Sequence, residues 1–344
     1  MMIFSSKPTH HQFLLCTLLV PLLPGCTSSR HRTIVRKISI HAEKKTTAAN
    51  CNITPTITVW IHGTRLFASS VFKRFFHSEP GLKKATDMDS IYHLHTIAHT
   101  LCESDSAMFC IDDFYLFGWS GKLSFSAREQ AAKELYKQLV ALIHTYKKDC
   151  GVTPNIRFLT HSHGGNVALN LSKIKNPDDE LSISELILLA CPVQLTTHNC
   201  IKDPMFQKVY SIYSHLDLMQ VLDPQGLYRK RHRGDSFLSK KCFEPHEKLA
   251  QVKIKLNGRA LIHSEFIMQR FLKQLATIVK EIKQWKQEFP DFQDEWTYTK
   301  KVLCLYSNGH KVRPLTYLAH NNKQLRRVTE KLALIEMEKQ VLQA

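Results

Sequence analysis

Ser162 lies in the stretch Phe158-Leu159-Thr160-His161-Ser162-His163-Gly164-Gly165-Asn166, and its surroundings suit a nucleophile. The apolar run Ile156 to Leu159 reads as a short buried strand, and Val167 to Leu171 reads as the start of a helix. A tight turn between them holds the serine in a strained conformation and pushes its Oγ outward. Gly164 and Gly165 have no β-carbon, so the helix can begin close against the strand. The first N–H groups of that helix then point at whatever the serine attacks, which suits an oxyanion. A serine hydroxyl stays a poor nucleophile until a neutral imidazole takes its proton.

The residues able to complete that chemistry follow in the chain. Lys208 to Tyr213 is a strand-like run with Asp217 just past its end; Asp223 follows the same strand, but Asp217 is nearer. Val252 to Leu256 and Ala260 to Ile262 read as strand around an Asn257-Gly258 turn, and His263 comes directly after. His246 is a reserve base with no strand in front of it. His263 would take the Ser162 proton and return it to the leaving alcohol. Asp217 would hold the imidazole tautomer and stabilise the imidazolium. Earlier, the β run Thr56 to Ile61 ends in His62-Gly63-Thr64, a turn that lets a backbone N–H approach a substrate oxygen. An oxyanion hole would combine the N–H of His163 with that of Thr64 or Arg65.

From about Ile53 to Lys286 strand-like runs alternate with helix-like ones, as in a mostly parallel sheet covered on both faces. That length suits one domain with a large core. Ser126 and Glu129 have capping-box spacing, and the pattern continues through Leu135, Leu139 and Leu142-Ile143, so a helix is expected there. The segment from Gly81 to Asp105 has few strand signals and reads as a lid or rim near the early strands, or as a plain surface excursion. A long amphipathic helix is expected from about Ser264.

The pieces Trp60 to Thr64, the serine turn, Tyr213 to Asp217 and Ile262-His263 resemble those of α/β-hydrolase-fold serine esterases and lipases. Phe117-Gly118-Trp119-Ser120-Gly121, followed by Arg128 and Ala131-Ala132, is similar to a segment of bacterial members. The resemblance implies an α/β-hydrolase fold in a single domain. It also implies hydrolysis of a carboxylic ester through an acyl-enzyme by a Ser162-His263-Asp217 triad, with no metal and no cofactor. The usual turn has glycine where this chain has Thr160. A second class of function is therefore a non-catalytic binding protein on the same fold, in which Thr160 distorts the turn and a basic face recognises anionic lipid or a polyanion.

The flanks divide the chain into residues 1–25, 26–52, 53–288 and 289–344. In the first, Lys7 precedes an apolar run from Phe13 to Leu23, the length of a signal-peptide core and too short to span a bilayer. It ends Leu22-Leu23-Pro24-Gly25-Cys26, which looks like a bacterial lipobox with Cys26 as the lipidated first mature residue; a plain secretory signal or an uncleaved anchor is the other reading. The expected location is outside the bacterial inner membrane, tethered by the polar, basic stretch 26–52. Beyond 288 a basic, aromatic stretch leads to a helical extension whose seam Leu325, Val328, Leu332, Ile335 and Leu342 suits packing on its own domain or a dimer.

The net charge of +17 favours anionic surfaces, and Arg229-Lys230-Arg231-His232-Arg233 is its sharpest cluster. No nucleic-acid module is recognisable, so no nucleic-acid partner is expected. There is no C-x-x-C pair, and export permits disulfides among Cys51, Cys102, Cys110, Cys150, Cys191, Cys200, Cys242 and Cys304 without fixing any pairing. His93 with His95, or His161 with His163, could approach a metal, but no carboxylate spacing supports one.

Overall fold

The computed structural model describes residues 54–65, 79–90, 92–176, 179, 181–214, 216–222, 242–244, 246–256, 259–288, 302–305 and 313–315. Strand β1 (Thr56–Ile61) lies mid-sheet, parallel to both β3 (Phe114–Gly118) and β4 (Asn155–His161), with Trp60 level with Leu116 and Leu159. Beyond β4 follow β5 (Glu185–Leu189), β6 (Val209–Tyr213), β7 (Leu249–Leu256) and β9 (Val302–Leu305), all parallel. Three short strands run antiparallel: β2 (Gly81–Lys84) on β3, β8 (Arg259–Ala260) on β7, and β10 (Arg313–Leu315) on β9.

The sheet is apolar on both faces because its strands are apolar at successive positions. Along β1, Ile57, Val59 and Ile61 enter one core and Trp60 the other, all fully buried. On Trp60's side, helices α1 (His93–Ser104) and α5 (Gln269–Glu288) bring Leu94, Ile97, Leu101, Phe271, Leu272 and Leu275. On the other side, α2 (Phe125–Cys150) and α3 (Gly164–Asn170) bring Leu135, Leu139, Val167 and Leu169. Each such side chain contributes about 1.5–3 kcal/mol relative to exposure. The short helix α4 (Met219–Leu222) follows β6.

The order of strands decides where a site can form. From β1 the chain moves to β3 on one side, then crosses back over β1 to reach β4 on the other. Neighbouring strands whose connections leave in opposite directions open a crevice at their carboxyl ends. Here that crevice lies between β1 and β4, where His62 and Ser162 emerge.

Several sequence expectations need correction. The predicted strand ending at Leu159 continues to His161, with Thr160 buried in it and its Oγ1 donating to the Ile187 carbonyl at 3.3 Å. Helix α2 is capped by Ser124, which accepts from the Ala127 N–H, and it ends on Gly151 at φ 70°; Ser126 lies inside. The segment from Gly81 to Asp105 is not a plain surface excursion, and His93 within it borders the cleft beside Ser162. It supplies edge strand β2 and helix α1, whose Leu94, Ile97, Ala98 and Leu101 face the core. Helix α5 starts at Gln269, after a 3-10 turn at His263–Ile267. The sheet also does not stop at residue 288, since β9 and β10 extend it into the basic, aromatic stretch expected to lie outside the catalytic domain. Cys26, the Arg229 to Arg233 cluster and the Leu325 to Leu342 seam lie outside the described residues.

Candidate active site

Ser162 follows the last residue of β4 and precedes α3 with φ 54°. Left-handed backbone on a non-glycine residue costs about 1–3 kcal/mol and persists only where surrounding structure enforces it. Here the Ser162 N–H donates to the Leu189 carbonyl at 2.9 Å, and its own carbonyl accepts from the Gly165 N–H at 3.0 Å. Ala190, one strand over, also has positive φ, at 52°, and its N–H donates to the Ile212 carbonyl at 2.9 Å. Adjacent strands β4 and β5 thus each end on a positive-φ residue whose N–H is bonded to the next strand.

Contact leaves no room for side chains around this turn. A β-carbon on Gly164 would sit 2.3 Å from the Ile61 carbonyl oxygen, and one on Gly165 would sit 2.4 Å from Cys191 Sγ. A β-carbon on Gly63 would lie 2.7 Å from that of Ser162, so the β1 and β4 turns touch at the serine itself. Thr160 does not distort the arrangement, because it is accommodated one residue earlier as ordinary strand.

The carboxylate and imidazole come from two further strand ends. Asp217, fully buried, places both oxygens on His263 Nδ1, at 3.0 and 2.9 Å. Nδ1 therefore donates, and the other ring nitrogen presents its lone pair in the neutral tautomer. The Gln220 N–H donates to Asp217 Oδ1 at 3.3 Å, and the Gln220 side-chain amide donates to the Cys191 carbonyl at 2.8 Å. Ser214 Oγ accepts from the Leu261 N–H at 2.7 Å, joining the acid-bearing segment to the one carrying His263. His161 closes the remaining gap: its Nε2–H donates to the His263 carbonyl at 3.1 Å, with ring centroids 4.7 Å apart. A Ser162–His263 hydrogen bond is not among those formed by the described residues. Such bonds are often long in an unliganded site and tighten on substrate.

On the β1 side, the Trp119 N–H donates to His62 Nε2 at 3.2 Å and the Trp119 indole donates to the His62 carbonyl at 2.8 Å. His62 Nε2 is thus an acceptor, and Nδ1–H donates to the Gly63 carbonyl at 2.7 Å. Burial, then the nearby Arg65 charge, pushes His62 down to about 4. Burial, followed by the neighbouring His263, holds His161 well below the usual imidazole range. Both rings are therefore neutral struts at ordinary pH.

Of the expected oxyanion donors, His163 opens α3 directly after Ser162, and Thr64 lies in the facing turn. The backbone N–H of Arg65 is not such a donor, because it is taken by the Gly121 carbonyl at 2.8 Å. His246 is not brought to the site either: it precedes β7, at the amino end of a strand parallel to β6, whereas Ser162 follows a carboxyl end. Asp223 lies outside the described residues. His163 Nδ1 lies 3.4 Å from Asn166 Nδ2, and His95 packs its ring against His99, so neither expected histidine pair stands apart from protein contacts. Among the described residues, Cys102, Cys110, Cys150, Cys191, Cys200 and Cys242 form no disulfide.

Ser214 and Gln220 are not singled out by the sequence, and His161 is singled out only as a possible metal neighbour. Their partners lie 47, 29 and 102 residues away, respectively, so no local pattern marks them. Beside the serine, a small cleft is lined by Trp60, His62, Thr64, His93, His161 and Ile267.

No protein-family model matches the chain, and no curated protein does. Among solved structures, it is similar to one of two fungal esterases from Rhizomucor miehei, at 11% identity and TM-score 0.38, over 71% of this chain and 78% of that one. It is similar to carboxyl esterase 2 from the mycorrhizal fungus Tuber melanosporum, at 13% identity and TM-score 0.36, over 69% and 79%. A third similarity, to phospholipase PlaB from Legionella pneumophila, has 14% identity and TM-score 0.25 over 40% of this chain and 25% of that one. The chain's own sheet order, its serine turn between β4 and α3, and the positions of Asp217 and His263 past later strand ends make this an α/β-hydrolase fold.

Proposed function

We propose that this protein is a serine hydrolase that cleaves carboxylic esters through an acyl-enzyme. The observation that carries the reading is the buried Asp217 carboxylate set on His263 Nδ1, with His161, the residue before Ser162, hydrogen-bonded to the His263 carbonyl. In this reading His263 removes the Ser162 proton as Oγ attacks the ester carbon. The tetrahedral oxyanion is held by the N–H groups of His163 and Thr64. The imidazolium then protonates the leaving alcohol, and water repeats the sequence in reverse to free the acid. Asp217 does not take a proton; it fixes the tautomer and stabilises the cation.

Replacing Ser162 with alanine tests this. Turnover of a soluble ester should fall on the order of 10⁶-fold with the melting temperature unchanged. A folded variant that keeps more than a few per cent of activity would contradict the assignment.

We also propose that the protein is exported and anchored through an acylated Cys26, on the strength of the short apolar run ending Leu-Pro-Gly-Cys. Cys26→Ser should release it from membranes or leave it unprocessed. Mass spectrometry finding an unacylated mature N-terminus would overturn the anchor and leave the hydrolase reading intact.

A further inference from the structure

Exposed apolar side chains are distributed unevenly over this fold. Among the described residues, eight large hydrophobic side chains are exposed. Six lie in the segments that follow β5, β6 and β8: Leu195, then Leu216, Leu218 and Met219 around Asp217, then Ile262 and Met268 on either side of the His263 turn. Phe125, at the head of the helix after β3, shares the carboxyl edge of the sheet, and only Val152, just before β4, lies at the amino edge. The six are between 40% and 66% exposed, so each presents a large part of its surface to water. Scattered singly, such residues need no explanation; concentrated on one edge, they mark a surface that meets something apolar.

We propose that this carboxyl edge docks on an anionic lipid surface, with the Ser162 crevice facing the lipid. This rests on the ester-hydrolase reading for its purpose, though not for its geometry. The occupant follows from position and charge. The apolar residues flank the acid and the base directly, so a protein seated on them would cover the crevice, whereas a lipid surface would present esters to it. Exposed cations Lys122, Arg270 and Lys273 stand on or beside the same edge, and the chain carries a net charge of +17. Apolar side chains that enter the headgroup region, ringed by cations that attract anionic headgroups, are what interfacial binding requires.

The test compares three full-length proteins, all carrying Cys26→Ser so that no acyl chain contributes to binding: one otherwise wild type (called wild type below), a Leu195→Asn/Leu218→Asn/Met268→Asn triple variant and a Val152→Asn control. Partitioning onto phosphatidylcholine vesicles with and without 30% phosphatidylglycerol is measured by co-flotation; hydrolysis of p-nitrophenyl acetate is measured in parallel. The triple variant should bind mixed vesicles about tenfold or more weakly, since three buried apolar side chains are lost. It should hydrolyse the soluble ester within about twofold of wild type, and Val152→Asn should match wild type in both. Equal binding by triple variant and wild type, or no preference of wild type for the anionic vesicles, would overturn the proposal. A wild-type dimer that the triple variant dissociates, with vesicle binding unchanged, would assign the edge to a second copy and also overturn it. Wild type that binds as described but leaves the soluble ester intact would sink the hydrolase reading and leave the docking surface standing.

Discussion

The two halves of the site are built by different forces. On the nucleophile side, the turns after β1 and β4 are pressed together until no β-carbon fits at Gly63, Gly164 or Gly165. On the acid–base side, Asp217 and His263 sit on longer loops tied down by individual hydrogen bonds from Ser214, Gln220 and His161. The first half is specified by exclusion of volume and the second by pairing of buried polar groups. They should therefore fail differently: one when an atom is added, the other when a partner is removed.

The largest effect expected from removing a partner is on catalysis. Asp217→Asn should lower turnover about 10⁴-fold by presenting the wrong imidazole tautomer, with little change in melting temperature. Steady-state kinetics beside a thermal melt checks this. If Asp223→Asn produces the loss and Asp217→Asn does not, the acid has been misassigned.

Adding one methyl group to the other half should cost stability instead. In Gly164→Ala the new carbon meets the backbone carbonyls of Ile61 and His62, which belong to the central strand and its turn and cannot rotate away. A loss of about 3 kcal/mol or more is expected in denaturant unfolding, with activity lost as the turns are forced apart. A Gly164→Ala protein as stable as wild type would show that the turn has slack.

Acid should weaken the nucleophile side through its neutral histidines. His62 is depressed to about 4 in the fold against 6.5 in the unfolded chain, so below pH 6.5 the unfolded chain takes up a proton that the fold refuses. Stability is constant above that pH and falls between about 6.5 and 4, by about 3 kcal/mol from His62 alone. His161 acts in the same direction. Urea midpoints measured across that window should fall more steeply in wild type than in His62→Gln, so the stability gap between them narrows as pH falls; parallel curves would refute the assignment.

Removing the Ser214 hydroxyl should have the smallest effect. Ser214→Ala leaves the buried Leu261 N–H without its acceptor, at a cost of about 1–3 kcal/mol. The same change loosens the base against the acid, so turnover should fall while KM changes little. Unchanged kinetics would mean that the Asp217–His263 contact alone holds the base in place.

The sequence shows these halves to different degrees. The order Ser162, Asp217, His263, each after an apolar run, and the glycines beside the serine are all local signals, and local signals survive in one dimension. The occupied Arg65 N–H could not be read there, because the Gly121 carbonyl that takes it belongs to a loop 56 residues on. His161, inside the most conspicuous stretch, was read only for metal ligation, because its partner arrives from 102 residues away. Helix α1 was missed for another reason. Its stripe at Leu94, Ile97, Ala98 and Leu101 has helical spacing, but the helix opens on Tyr92 without a side-chain cap or an acidic first turn, so no start signal marks it. Strand β2 is four residues with two lysines on a sheet edge, where pairing with β3 outweighs weak strand propensity.

The central claim is that Ser162 is an activated nucleophile served by His263. A fluorophosphonate probe tests it without any assumption about substrate, because only an activated serine attacks the phosphorus. Full-length protein should acquire one adduct, mapped by mass spectrometry to Ser162, and folded His263→Ala protein should not label. A folded wild-type protein with no adduct, or with the adduct on another residue, would contradict the account.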